Sequence, residues 1–249
     1  MSGSHFDNKE AIHHVVEKQA QGIVDAAEVH GREIPGNLFA FADSAKECAI
    51  ILGVLGVLSP FFIDSFSFTF RFFLIFAIAL IIWKTFRSAL LGWSRLERLH
   101  RIIAQEKWEI EHHRTQEKIE LKALYEAKGF QGSLLDEVVE VLMADGDRLL
   151  KVMVEEELGL TLEKQEHPLK QAMGAALGSF LAGIMILLAF YFFPSHGSSI
   201  AALFIIGASG ALAAYFEKNE TLPAIVWNIG LGILVMGSSY FLAQFFQTF

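Results

Sequence analysis

Hydrophobic positions along this chain gather into long runs on either side of one polar stretch. Residues 171–194, 195–216 and 221–249 contain no Asp, Glu, Lys or Arg. A hydrocarbon core of about 30 Å is crossed by about 20 helical residues, so each run predicts a membrane span. Pro194, Ser195, His196 and Gly197 form a turn signal between the first two, and Glu217, Lys218, Glu220 and Pro223 mark the next. Two earlier apolar runs, 48–63 and 72–83, are shorter, with Asp64 and Arg71 capping the loop between them. To cross a bilayer, the first must take in Glu47 and Lys46 and can extend to Asp43. The second must take in Lys84 and can extend to Arg87, cations long enough to reach an interface. A buried or re-entrant hairpin is the alternative for this pair. Two full spans, making five in all, is the preferred reading.

The polar stretch reads as helices. Residues 95–125 lack Pro and Gly and are rich in strong helix formers. They predict one long helix leaving the second span, with a break at His112, His113 and Arg114, and a glycine stop at Gly129. A second helix is expected over 133–144, with Leu134, Leu135, Val138, Val139 and Leu142 on one face. Asp145, Gly146 and Asp147 read as a turn, 148–158 as a third helix ended by Gly159, and 161–167 as a linker. Pro168 then opens the next span. Residues 8–27 look helical, with an apolar stripe of Ile12, Val15, Val16 and Ile23. The fold class expected is all-α: a polytopic membrane protein with five transmembrane helices and a cytoplasmic three-helix acidic domain between spans two and three. Its parts are an amphipathic segment over 1–40, spans one and two over 41–94, the polar helical domain over 95–167, and spans three to five over 168–249.

Composition sharpens this division. Of 249 residues 53% are hydrophobic and 19% charged, too apolar for an ordinary soluble domain and too charged for a chain that is all membrane. The net charge is −8, and residues 106–166 account for it with 16 acids against 8 bases. Collagen, a disulfide scaffold and a basic nucleic-acid binder are excluded, and the single cysteine, Cys48, allows no internal disulfide. Residues 93–170 hold 12 of the 20 basic residues, which places this long loop on the cytoplasmic side and the N-terminus with it. No signal-peptide pattern opens the chain, and a bacterial inner membrane fits.

The chemistry lies in the acids. Glu106 with Glu109, and Glu117 with Glu120, are pairs at i, i+3, each on one helix face. Like charges there repel by a few tenths of a kcal/mol, and a cation between them reverses the sign. Carboxylate oxygens suit Mn²⁺ and Fe²⁺. Met153, beside Glu155, Glu156 and Glu157, adds a thioether that leans toward Fe²⁺, Zn²⁺ or Mn²⁺. A solvated face of a charged helix is the plainer reading of the same spacing. In the first span Asp43 and Glu47 lie at i, i+4, and Glu47 is expected to pair with Lys84. Such a pair either lets two marginal helices insert or forms a proton-coupled gate.

The run from Glu106 through Glu109 and Glu111, then Glu117 to Phe130, then Val138, Val139, Leu142 and Met153 to Leu160, resembles the cytoplasmic metal-binding domain of the vacuolar iron transporter family. The similarity reaches Pro168, Ser179, Phe180 and Gly183, and the five-span plan fits. The resemblance implies metal binding by Glu106, Glu109, Glu117, Glu120, Met153 and Glu157, a homodimer, and exchange of metal for protons. It implies export of cytoplasmic Fe²⁺ or Mn²⁺ with the metal as cargo and Asp43 in place of the family's aspartate; the i, i+4 pairing adds Glu47 to the transport path, and the mixed donors add Zn²⁺ as a candidate cargo. Departures are specific. Val154 stands where the family has a second methionine, Ala42-Asp43-Ser44 where it has Asn-Asp-Gly, and Gly92-Trp93-Ser94 where it has Gly-Glu-Tyr. Lys84 and Arg87 put cations on the expected path. The alternative is a membrane protein that does not transport and uses the acidic domain for metal sensing or oligomerisation.

Glu-x-x-His occurs at Glu10/His13, Glu97/His100 and Glu109/His112, but the four-helix bundle of a di-iron protein is not available. No phosphate loop, catalytic triad order or zinc-protease motif is present, so no catalytic residue and no enzyme is expected. The expected partners are a second copy, the lipid bilayer, metal ions and protons, and no nucleic acid.

Overall fold

The computed structural model describes residues 34–157 and 167–248. The amphipathic stripe expected over 8–27 and most of the linker expected over 161–167 lie outside them. Among the described residues every regular element is helical: α1 (Gly36–Phe62), α2 (Phe66–His112), α3 (Arg114–Ala127), α4 (Gly132–Met143), α5 (Gly146–Val152) with a π-helical turn (Met153–Glu157), α6 (Pro168–Phe192), α7 (Gly197–Glu217) and α8 (Thr221–Gln247). Five of them, α1, α2, α6, α7 and α8, are long and apolar enough to cross a membrane. Residues Leu90–Pro168 form one compact unit and the remaining spans another. The long α2 contributes to both.

In the spanning unit, α1 packs on α7 and α8, and α7 on α8. The core there is Ala45, Cys48, Ala49, Leu52, Ala77, Ala182, Ile186, Ala202, Ile205, Ile206 and Met236. Small side chains let the helices close up, as expected where lipid replaces water and packing must drive association. The outward faces stay apolar: Trp83, Phe86, Phe192, Phe204, Trp227 and Phe246 are all exposed. In water so large an apolar surface would aggregate; against acyl chains it costs nothing. The α1–α2 connection is shorter than the charge pattern suggested. Ile63 to Ser65 make the whole loop, and Arg71 lies within α2 rather than capping it. α1 begins at Gly36, so Asp43, Lys46 and Glu47 are all helical.

The polar unit is built as a chain of short helices behind the end of α2. The break falls at His113, whose φ of −123° and ψ of 34° leave the helical region before α3 starts. Gly129 (φ +96°) and Gly132 (φ +63°) make the left-handed steps of the α3–α4 turn. Asp145 caps α5 by accepting from the backbone N–H of Asp147 at 2.9 Å and Arg148 at 3.3 Å. The helix therefore starts at Gly146, where the sequence suggested a turn. Ile110, Leu121, Leu135, Val139, Leu149 and Met153 close the core. Leu134, expected on the same face, is exposed.

Two glycines of α6 test the close packing. A Cβ at Gly174 or Gly178 would run into the backbone of Asn37 or Phe41 on α1, whereas one at Gly230 or Gly237 meets nothing within 4 Å. Gly178→Ala should lower the thermal midpoint of the detergent-solubilised chain, by overpacking that costs about 1–3 kcal/mol. Gly230→Ala should leave the midpoint unchanged or raised, by up to about 1 kcal/mol from helix propensity. Equal midpoints for the two variants would contradict the approach of α6 to α1.

Candidate metal centre

Glu106 and Glu109 sit on α2 one turn apart, and Glu117 sits on the first turn of α3. On an unbroken helix Glu106 and Glu117 would be about 16 Å apart along the axis, at 1.5 Å per residue. The reversal at His113 removes that separation. One carboxylate oxygen from each of Glu106, Glu109 and Glu117 lies within 4.8 Å of the others. Burial makes the cluster unusual. Glu106 is 6% exposed and Glu117 3%, and each has an oxygen sealed from solvent. Carboxylates are rarely buried unless paired or bound to a metal. Three carboxylate oxygens this close form a set of hard donors that a divalent cation can bridge.

Two glutamines orient the rim of this cluster. Gln105 Nε2 donates to Glu109 Oε1 at 3.0 Å, and Gln116 Nε2 donates to Glu120 Oε1 at 2.9 Å. Gln at i−4 to Glu is a helical pair readable from spacing, although neither glutamine belongs to the expected site. Glu120 is half-buried and is not one of the three oxygens that converge. Met153 is 1% exposed and belongs to the apolar core with Ile110 and Leu121, the residues next in sequence to Glu109 and Glu120. Val154, in place of a second methionine, is fully buried. Glu157 ends the π-helical turn, and its side chain lies outside the described residues.

The acids before Glu157 are engaged elsewhere. Glu156 pairs with Lys128 and accepts from the Tyr125 hydroxyl at 3.2 Å, while Lys128 also lies 5.0 Å from the Tyr125 ring. Glu155 pairs with Lys151 at 3.9 Å. The contacts of Glu156 tie the π-helical turn to α3. Lys122 donates to Asp136 at 2.7 Å across α3 and α4. That hydrogen bond holds the Asp136 carboxyl below its ordinary range and Lys122 above its own. Burial raises the Tyr125 phenol. His112 is turned back on its own helix, stacked on Trp108 at 4.5 Å with Nδ1 2.8 Å from the Trp108 carbonyl.

A separate charged group lies in the spanning unit. Lys84 of α2 is 3% exposed, contacts Glu47 and lies 3.8 Å from Asp43, both on α1. The pairing of Glu47 with Lys84 expected from the sequence is formed, and Asp43 joins it. Arg87 and Trp93 are exposed.

The sequence profile of the VIT family matches residues 93–244, more than half of the chain and most of the polar unit with the last three spans. The chain belongs to the VIT family. That family makes it a membrane metal transporter in general terms, on five helices able to span a bilayer. No curated protein sequence matches the chain.

Added Mn²⁺ should raise the thermal midpoint of the unsubstituted chain, and Glu117→Gln should respond less. A variant that responds to Mn²⁺ as fully as the unsubstituted chain would contradict a cation held among the three carboxylates.

Proposed function

We propose that the chain exports divalent Fe²⁺ or Mn²⁺ from the cytoplasm in exchange for protons, with the acidic unit facing the cytoplasm and collecting the ion. The observation that carries this reading is the convergence of Glu106, Glu109 and Glu117 within 4.8 Å, with two of the three buried. All-oxygen donors favour hard or borderline cations over soft ones. In this reading Glu120, Met153 and Glu157 complete the cargo site when metal binds, and Asp43 and Glu47 form the transport path. A homodimer in a bacterial inner membrane is part of the same proposal.

Calorimetric titration of the full chain with Mn²⁺ tests the site. Replacing Glu106, Glu109 and Glu117 together by Gln should abolish binding. Gln105→Leu, which frees Glu109 from its orienting partner, should weaken binding about 10–100-fold, the usual effect of losing an outer partner of a ligand. Unchanged heats in the triple variant would remove the site. Proteoliposomes loaded with a metal-sensitive dye test transport: Fe²⁺ or Mn²⁺ flux should depend on Asp43 and Glu47.

The rival is a non-transporting protein that uses the acidic unit for metal sensing or oligomerisation. One observation favours it: the Asp43 and Glu47 carboxylates already hold a cation, Lys84. Metal binding with no flux would support the rival.

A further inference from the structure

We propose that Lys84 is a tethered competitor of the cargo, a built-in cation that must leave Asp43 and Glu47 before a metal ion can occupy them. The inference rests on the proposed path through those two carboxylates.

The geometry is asymmetric. Lys84 is 3% exposed, whereas the carboxylates it holds are partly exposed, Asp43 at 38% and Glu47 at 47%. Glu47 also lines a cleft of about 270 Å³ between α1, α7 and α8, together with Lys46, Ile50, Ile206, Asn228 and Leu231. Lys84, which also holds Glu47, is not among the residues that line this cleft. Two carboxylates and one ammonium leave a single negative charge, half of what a divalent ion needs. Lys46 on the same cleft wall lowers it further. In a setting with little water a surplus charge is expensive, so metal and ammonium exclude each other. The lysine suits this role because its flexible four-carbon stem carries a compact charge that can swing aside, unlike a forked guanidinium. Lys84 then sets the metal concentration at which the path fills, and it closes the path when metal is scarce.

The test uses the full chain in proteoliposomes with Mn²⁺. Lys84→Met should lower the half-saturating Mn²⁺ concentration for flux by at least tenfold, while Lys84→Arg stays at or above the unsubstituted value. A Lys84→Met protein that elutes as a single folded species with an unchanged or higher half-saturation overturns the proposal. A second measurement needs no variant. Saturating Mn²⁺ should raise acylation of Lys84 by a membrane-permeant amine reagent several-fold, read by mass spectrometry. Equal or lower labelling with metal overturns it, because a purely structural lysine gains no exposure. An Asp43→Asn/Glu47→Gln variant separates the two levels. Flux equal to the unsubstituted chain removes the path and this inference with it. Reduced flux there, with Lys84→Met unchanged, removes the lysine's role alone.

Discussion

Clustered carboxylates are stabilised by a cation, and the two units of this chain present such clusters in different settings. In the polar unit Glu106, Glu109 and Glu117 converge within 4.8 Å, and two of them are buried. In the spanning unit Asp43 and Glu47 hold the ammonium of Lys84. Desolvating an ion costs several kcal/mol unless a partner compensates. The first offers three oxygen donors to a divalent cation, and the second holds a lysine ammonium. This contrast organises the functional reading more than the number of spans does.

The acidic cluster depends on a local backbone event. Without the departure from helical geometry at His113, Glu117 would point from a site two to three turns further along the same rod. The core of Ile110, Leu121, Leu135, Val139, Leu149 and Met153 holds the reversal. Cross-links from Lys128 to Glu156 and from Lys122 to Asp136 brace it from outside. Exposed ion pairs contribute little each, about 0–1 kcal/mol, so the apolar core carries the geometry. The π-helical turn at Met153–Glu157 widens the helix next to that core. Such turns recur at functional sites.

Much of the fold was legible in the residues. Uncharged runs marked α6, α7 and α8 almost to their ends, and the His112-His113-Arg114 cluster marked the break in the long helix. The start of α1 was hidden because Asp43, Lys46 and Glu47 depress its hydropathy. Lys84 on α2 compensates Asp43 and Glu47, a tertiary pairing that hydropathy does not show. The site was legible in kind but not in membership. The i, i+3 spacing pairs Glu106 with Glu109 and Glu117 with Glu120, yet the group that converges takes three of these and leaves Glu120 at the rim. Periodicity fixes which residues share a face, but it does not give the angle at which one helix folds back on another. Met153 was readable as a soft donor, and its place in the apolar core came only with the fold.

The central claim is that the three converging glutamates hold a divalent ion. Anomalous scattering at the manganese edge, from crystals of the full chain grown with Mn²⁺, measures this directly. The account predicts a peak among the side chains of Glu106, Glu109 and Glu117, within about 2.0–2.6 Å of their oxygens as for other oxygen-ligated divalent ions. A map with no peak there, while the three carboxylates remain buried and close, would contradict it.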